Sequence, residues 1–457
     1  MHADATSLKE LGLLPDASGA WPLASWLDNT HARPSYDALT RLIASPLADT
    51  DGICARQALL LQLVSVAKEV PWADLQVLAV QVEGFLSSNY VIVPTALMRR
   101  TVFAARFGDI VTYVTKQLRA VDTLLTLSDQ VYGRIGALRG DATFVGVVTA
   151  LEMAAEHPQR ERLRAAVADG HALSLAGLDG MVRNKSAGAA QGSKAVRNDA
   201  PLRDVLEALV AAIWQLDAFC SLATASAAVG GVLPRVVTKG EAAMSMDGLR
   251  HPLLPKGVTN DVHLADAERV FFLTGPNMAG KSTLLRALGI AVYCAHLGMA
   301  VAARVACIPM FDQLLVSMTV RDNLQRGESL YLAEIRRVRT IVEAVDRGDA
   351  VMAIFDEVFR GTNIKDAVQA TLLLVDGLAR APHGMFVIAS HLAEVAESRA
   401  EHAGMGCWCM DVDITGDSPK FTHRVRRGVS DVHLGMVLLD AKGVGPVLRR
   451  MAAGSLG

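Results

Sequence analysis

Charge is scarce in this chain of 457 residues: Asp, Glu, Lys and Arg together make up 20%, and their formal balance is only -2. That excludes a globally basic nucleic-acid binder, so any basic surface has to be local. With 51% apolar residues, extended disorder is excluded as well. The N-terminal stretch "MHADATSLKELGLLPDASG" carries acidic residues and has no apolar h-region, so it does not read as a signal peptide. Long uninterrupted apolar runs are missing too. Mean hydropathy is +0.29, yet the most apolar stretch, "GIAVYCAHLGMAVAA", is broken by His296 and falls short of the roughly 20 residues a bilayer needs. It reads as a buried segment of an α/β core, and no membrane association is expected. Cysteine pairs at zinc-ligand spacing are also lacking. Cys407 and Cys409 form a lone C-x-C, which points to a reduced cytoplasmic protein with structural thiols.

What is present falls into two textures, within a length that exceeds one ordinary core. From about residue 20 to 240 the chain is rich in Ala and Leu with helical periodicity, and β-branched runs are few. In "PLRDVLEALVAAIWQLDAFCSLATASAAV", Val205, Leu209, Ile213 and Leu216 recur at steps of three or four and predict one long apolar stripe. The Gly/Ser/Ala-rich, basic stretch 183–198 reads as an exposed loop whose Lys and Arg either meet solvent or touch phosphates. From Arg269 onward, short apolar runs ("RVFFLTG", "AVMAIFDE", "GMFVIAS") alternate with helical segments, as parallel strands covered on both faces do. The reading is an N-terminal segment 1–19, an all-α domain 20–244, and an α/β domain with a mostly parallel sheet over 245–457.

The chemistry concentrates in the last of these. Gly275-Pro276-Asn277-Met278-Ala279-Gly280-Lys281-Ser282 matches G-x-x-x-x-G-K-[ST] in full, between an apolar strand and a helix that includes Thr283. Glycines let backbone N–H groups turn toward phosphate oxygens, and a helix N-terminus adds partial positive charge. Lys281 is then expected at the β- and γ-phosphates and Ser282 on Mg²⁺. The run "AVMAIFDE" ends in Asp356, the expected partner of Mg²⁺, and Glu357, the expected general base for water. Two carboxylates at the end of a buried strand call for a cation. Ser390-His391 ends "GMFVIAS"; His391 reads either as a contact to the γ-phosphate or as a structural histidine. Gly327 and Ser329 precede a helical stripe, and Ser329 is either an ordinary N-cap or an anion site for a nucleotide held by another subunit.

Taken together these segments resemble the ATPase domain of the MutS family, the DNA mismatch-recognition proteins and their relatives. "TGPNMAGKST" nearly repeats that family's "TGPNMGGKST". "FDEVFRGTN" stands for its D-E-x-x-[RK]-G-T run, Ser390-His391 for its switch histidine, and Ser329 to Glu334 for its S-x-F-x-x-E signature. "LRHPLLPKGVTNDVHL" is similar to the R-H-P segment near the adenine, which brings Val258 into the nucleotide site. "WLDNTHARPSYDALTRLIASPLADTDGICARQALLLQL" resembles the start of the family's core and lever domain. The resemblance implies an ABC-type P-loop ATPase that binds ATP and Mg²⁺ and completes each site across a homodimer with Gly327 and Ser329 of the other copy. It implies lever helices acting on DNA, the alternative being a nucleotide-gated scaffold for a protein partner. It departs from the family in Ala279 for Gly, Glu328 in the signature, and Val358-Phe359 for an aliphatic residue and Gly. No mismatch-reading or connector domain is expected ahead of the core.

Overall fold

The computed structural model describes residues 1–13, 24–87, 108–168, 202–239, 243–265, 267–276, 278–318, 330–398, 404–413, 420–429 and 443–452. Two compact units interleave along the chain, whereas the sequence reading draws one boundary near 245. The first comprises Met1–Leu27, Ser45–Gln57 and Ser226–Gly457; the second comprises Asp28–Ala44 and Ala58–Ala225.

In chain order the elements are β1 (His2–Ala3), α1 (Ala5–Glu10), α2 (Ala24–Leu27), α3 (Arg33–Ile43), α4 (Thr50–Glu69), α5 (Trp72–Ser87), α6 (Gly108–Ile135), α7 (Ala142–Ala155), α8 (Arg160–Ala168) and α9 (Leu202–Ala228). There follow β2 (Arg235–Val237), β3 (Met244–Leu249), β4 (Asn260–Leu264), β5 (Val270–Thr274), α10 (Lys281–His296), β6 (Val305–Pro309), β7 (Gln313–Ser317) and α11 (Leu330–Asp346). The last are β8 (Val351–Asp356), α12 (Ile364–Ala379), β9 (Met385–Ala389), α13 (Ala393–Glu397), β10 (Met405–Asp413), β11 (Lys420–Arg427) and α14 (Val444–Ala452).

The second unit is helical among its described residues. In α9 the predicted stripe is an understatement. Val205, Leu209, Ile213 and Leu216 are buried, but so are Leu206, Val210, Ala212 and Phe219 on other faces. A helix apolar on every side belongs inside a core. By length and composition α9 would also pass as a membrane span, but 78% of its most apolar window is buried within the fold. Phe219 meets Phe144 of α7 edge to face, with centroids 5.1 Å apart, a favoured geometry for two quadrupolar rings.

The first unit carries a seven-stranded sheet in the order β1-β7-β8-β9-β5-β10-β11. Every pairing in it is parallel except the last, β10 with β11. The three apolar runs singled out in the sequence are its centre: β8, β9 and β5, with all five residues of β5 and β9 buried. A strand covered on both faces has no polar side to show, which is why these runs do not alternate. A second sheet, in the order β2-β6-β3-β4, lies in the same unit. The stretch "GIAVYCAHLGMAVAA" does lie inside, Ile290 to Ala295 all being buried in α10. Among the described residues no cluster of three metal-ligating side chains occurs, and Cys407 and Cys409 are buried in β10 without a disulfide.

Candidate functional site

β5 ends at Thr274, and the backbone must reverse to begin α10 at Lys281. Gly280 makes that turn at φ 105 as the N-cap residue of α10 and offers no side chain to cap it, so the first N–H groups of the helix are left facing outward. A Cβ at Gly280 would be strained at that φ and would also lie 3.2 Å from His423 Nδ1. Met278 holds φ 71 without being glycine and is exposed, a conformation that costs roughly 1–2 kcal/mol. Ala279, where the family has Gly, keeps a non-positive φ and is buried, so the methyl is accommodated. Asn277 lies outside the described residues.

Lys281 is 5% exposed, and its ammonium donates to the carbonyls of Gly275 (2.7 Å) and Pro276 (3.2 Å) in its own loop. Burial lowers its pKa, and the charges of Glu357 and Asp356 oppose that shift. Ser282 Oγ donates to Asp356 Oδ2 at 2.5 Å. Asp356 terminates β8, whose two neighbours in the sheet, β7 and β9, run parallel to it and end at the same side. Burial pushes its carboxyl upward; the Ser282 hydroxyl works against that and the neighbouring Glu357 adds to it. A hydroxyl and a carboxylate held together below the usual separation, beside a second carboxylate, form an oxygen set suited to a hard divalent cation.

Glu357 sits at φ 56, and its N–H donates to Ala389 at the end of β9 (2.9 Å). Phe359 follows at φ 62, the position at which the family has glycine. Its ring packs edge-on against Tyr331 of α11 at 6.4 Å, burial that offsets the left-handed backbone. At Gly361 a Cβ would come within 2.8 Å of the Tyr331 backbone nitrogen, so only glycine lets this turn lie against the start of α11. Glu334 of α11 is buried there, accepts from Gly361 N–H at 3.3 Å and lies 3.5 Å from Arg360 Nε. Burial raises its pKa against those two partners. Arg360 also faces Glu357 across 3.9 Å.

These groups converge. One cavity of about 500 Å³ is lined by Pro276, Met278, Gly280, Lys281, Ser282 and Thr283 from the loop and helix, together with Asp356 and Glu357, and by Arg286, Met318 and Arg360. A second, of about 360 Å³, shares Met278, Gly280 and Thr283 with it and adds Val258, His251 and His423. His423, at φ 57 on β11, donates from Nδ1 to Ala279 O at 3.0 Å. Asn260 fastens β4 to β11 by donating to His423 O and accepting from Val425 N–H.

Of the residues named from sequence, Gly280, Lys281, Ser282, Thr283, Pro276, Met278, Asp356 and Glu357 thus surround one space, and Val258 lines the adjoining one. Gly275 supplies a carbonyl to Lys281. His391 is exposed just after β9 and is not among the lining residues, while Ser390 before it is buried. Gly327, Glu328 and Ser329 lie outside the described residues, as does 183–198. Sequence reasoning gave no role to Arg286, Met318 or His423, and it carried Arg360 and Glu334 only as members of the D-E-x-x-[RK]-G-T and S-x-F-x-x-E patterns. The only signal for Arg286 was its position one turn past Ser282.

Residues 271–452 match MutS domain V. Curated relatives include the DNA mismatch repair protein MutS of Fervidobacterium nodosum, 31% identical over 199 residues, 43% of this chain and 24% of that protein. The DNA mismatch repair protein MutS of Thermosipho melanesiensis is 30% identical over 245 residues, 53% of this chain and 29% of its own length. That of Sorangium cellulosum is 32% identical over 273 residues, 55% of this chain and 29% of its own. Each match therefore spans less than a third of the relative. The loop, the acidic strand end and the sheet that brings them together all fall in or beside the matched region, so the chain carries a MutS domain V and is similar to MutS proteins over about half of its length.

Proposed function

We propose that the first unit binds ATP and hydrolyses it to ADP and phosphate. The observation that carries this reading is the single cavity in which the Lys281 ammonium, the Ser282 hydroxyl and the paired carboxylates Asp356 and Glu357 meet beside an uncapped helix start. The triphosphate is placed with its β- and γ-phosphates at Lys281 and the N–H groups that open α10, and its base in the adjoining cavity between Val258 and His423. Mg²⁺, held by Ser282 and Asp356, supplies charge neutralisation on the phosphate oxygens. Ser282 and Asp356 already stand at contact distance, and the buried carboxylate gains a counter-charge when the cation is present.

Glu357 serves as the general base. It is one residue beyond the strand end, and its backbone is held by Ala389. Arg360 stands 3.9 Å from its carboxylate, which as a general base accepts a proton from water. His391 and the signature residues Gly327 and Ser329 remain assigned by resemblance, His391 to the γ-phosphate of its own site and the signature to the nucleotide of a second copy.

DNA as the macromolecular partner, and a homodimer as the working form, follow the mismatch-repair relatives. The near-neutral chain restricts any DNA surface to local patches, so binding should weaken steeply with salt. Calorimetric titration with Mg-ATP, followed by turnover measured with and without homoduplex, mismatched and branched DNA over a range of protein concentrations, tests each layer. No affinity for Mg-ATP would remove the nucleotide reading; turnover indifferent to every DNA form at low salt would remove the DNA reading and leave a protein partner.

A further inference from the structure

Two residues that line the acidic cavity, Arg286 and Met318, belong to none of the recognised motifs, and both are held by the same distant residue. Glu10, the last residue of α1, accepts the Met318 N–H on Oε2 at 2.8 Å, across 308 positions of sequence. Its backbone carbonyl accepts from Arg286 Nε at 3.4 Å. The final carbonyls of a helix have no partner within it, and the guanidinium supplies one.

The rest of the N-terminal segment is fixed along the same strand. β1 pairs in parallel with β7, His2 opposite Gln313 and Ala3 opposite Leu314. Ser7 Oγ accepts the Val316 N–H at 2.8 Å and an Arg337 N–H at 2.8 Å. Arg337 of α11 pairs with Asp4 and donates to Val316 O at 2.9 Å. Leu8, Leu11 and Leu13 are buried beneath. The segment is thus stitched to β7 from Gln313 to just past its end, at Met318, where the cavity opens. Arg286 lines the same cavity as Asp356 and Lys281.

We propose that Glu10 is a positioning residue for the nucleotide site: through it the N-terminal segment fixes where Arg286 and Met318 stand relative to Asp356 and Lys281, and so sets the affinity for the triphosphate. This rests on the nucleotide reading of the cavity. The segment contacts no phosphate itself. It acts by holding one wall, because a buried Met318 N–H without its acceptor is driven to move toward another partner.

The test compares Glu10→Ala with Glu10→Gln in the full chain. Glu10→Ala removes the acceptor and should raise the Kd for Mg-ATP about fivefold or more. Glu10→Gln, whose amide oxygen accepts the same bond, should stay within about twofold of wild type. Without nucleotide, hydrogen exchange at the Met318 amide should be faster in Glu10→Ala and unchanged in Glu10→Gln. Should Glu10→Ala fail to fold, Glu10→Met keeps the volume without the acceptor and carries the same comparison. A wild-type Kd in the acceptor-less variant overturns the proposal, as does an unchanged Met318 exchange rate. A wild-type chain that binds no ATP would instead sink the proposed function, and the exchange rates would still decide whether Glu10 holds this wall.

Discussion

Both compact units bury charged groups, but they do so in opposite ways. In the helical unit each buried charge is matched at once by a near neighbour. Arg160 of α8 forms a two-pronged contact with Asp129 of α6, and the same two terminal nitrogens also donate to the Leu125 and Ala155 carbonyls. Asp217 of α9 takes both the backbone N–H and the Nδ1 of His31, whose ring stacks on Trp72. Asp141 caps α7 through the N–H groups of Thr143 and Phe144. In the sheet-bearing unit, Lys281, Asp356, Glu357 and Arg360 are gathered around an open space, with the ammonium turned back onto its own loop. The first arrangement is finished and serves the fold. The second is a set of charges facing a cavity, whose complement on the proposed reading is a phosphate chain with its cation. Burial therefore marks function only where the partners are left facing a cavity.

That contrast can be broken by mutation, most forcefully at the ammonium. Lys281→Ala should abolish measurable ATP binding and turnover, read by calorimetry and phosphate release, while leaving circular dichroism unchanged. Next in size, Glu357→Gln should keep Mg-ATP affinity and reduce turnover by about 10²- to 10⁴-fold; normal hydrolysis in this variant would take the base assignment away from Glu357.

A third expectation concerns acid. His296 lies buried in α10, donating from Nδ1 to Leu47 O at 3.1 Å and accepting the Phe311 N–H on Nε2. Burial lowers its pKa to about 4 from 6.5. A histidine held neutral by the fold contributes stability that is fully present above pH 6.5. That stability fades as pH falls toward 4, because the unfolded chain binds the proton first. The loss across this window is about 3 kcal/mol. Denaturant midpoints measured between pH 7 and 4 should show it, and His296→Gln should flatten the dependence. Smallest of the four, Asp217→Ala in the helical unit should cost about 1–3 kcal/mol of stability and leave the Kd for Mg-ATP as it was. A changed Kd would mean that the finished charge pair also serves the nucleotide.

The sequence was most legible where local chemistry and local geometry coincide. The run from Phe271 through Ser282 announces strand, loop and helix because its glycines and its single Lys have few other uses. The apolar run ending at Asp356-Glu357 likewise read as a covered strand, and β8 is buried along Val351–Phe355. The N-terminal segment was illegible for the opposite reason. Two residues of strand and six of helix have no periodicity to read, and their partners lie some 300 positions away. α9 was half read: its spacing predicts a stripe, but only neighbours on its other sides bury Leu206, Val210 and Phe219. The left-handed Phe359 illustrates a further blind spot, since a residue with a Cβ at a glycine position gives no hint of the Tyr331 ring that steadies it.

By itself, then, the order of residues determined which groups are proposed to handle phosphate and which strands would be hidden, because backbone freedom, side-chain charge and apolar continuity are properties of a few consecutive positions. Tertiary structure alone decided that Arg286 and Met318 line that cavity, that Glu334 meets Arg360, and that Glu10 holds the first two. Those relations depend on the parallel order of the sheet, which brings the ends of β5, β7 and β8 to one side and lets residues hundreds of positions apart share a single hydrogen bond.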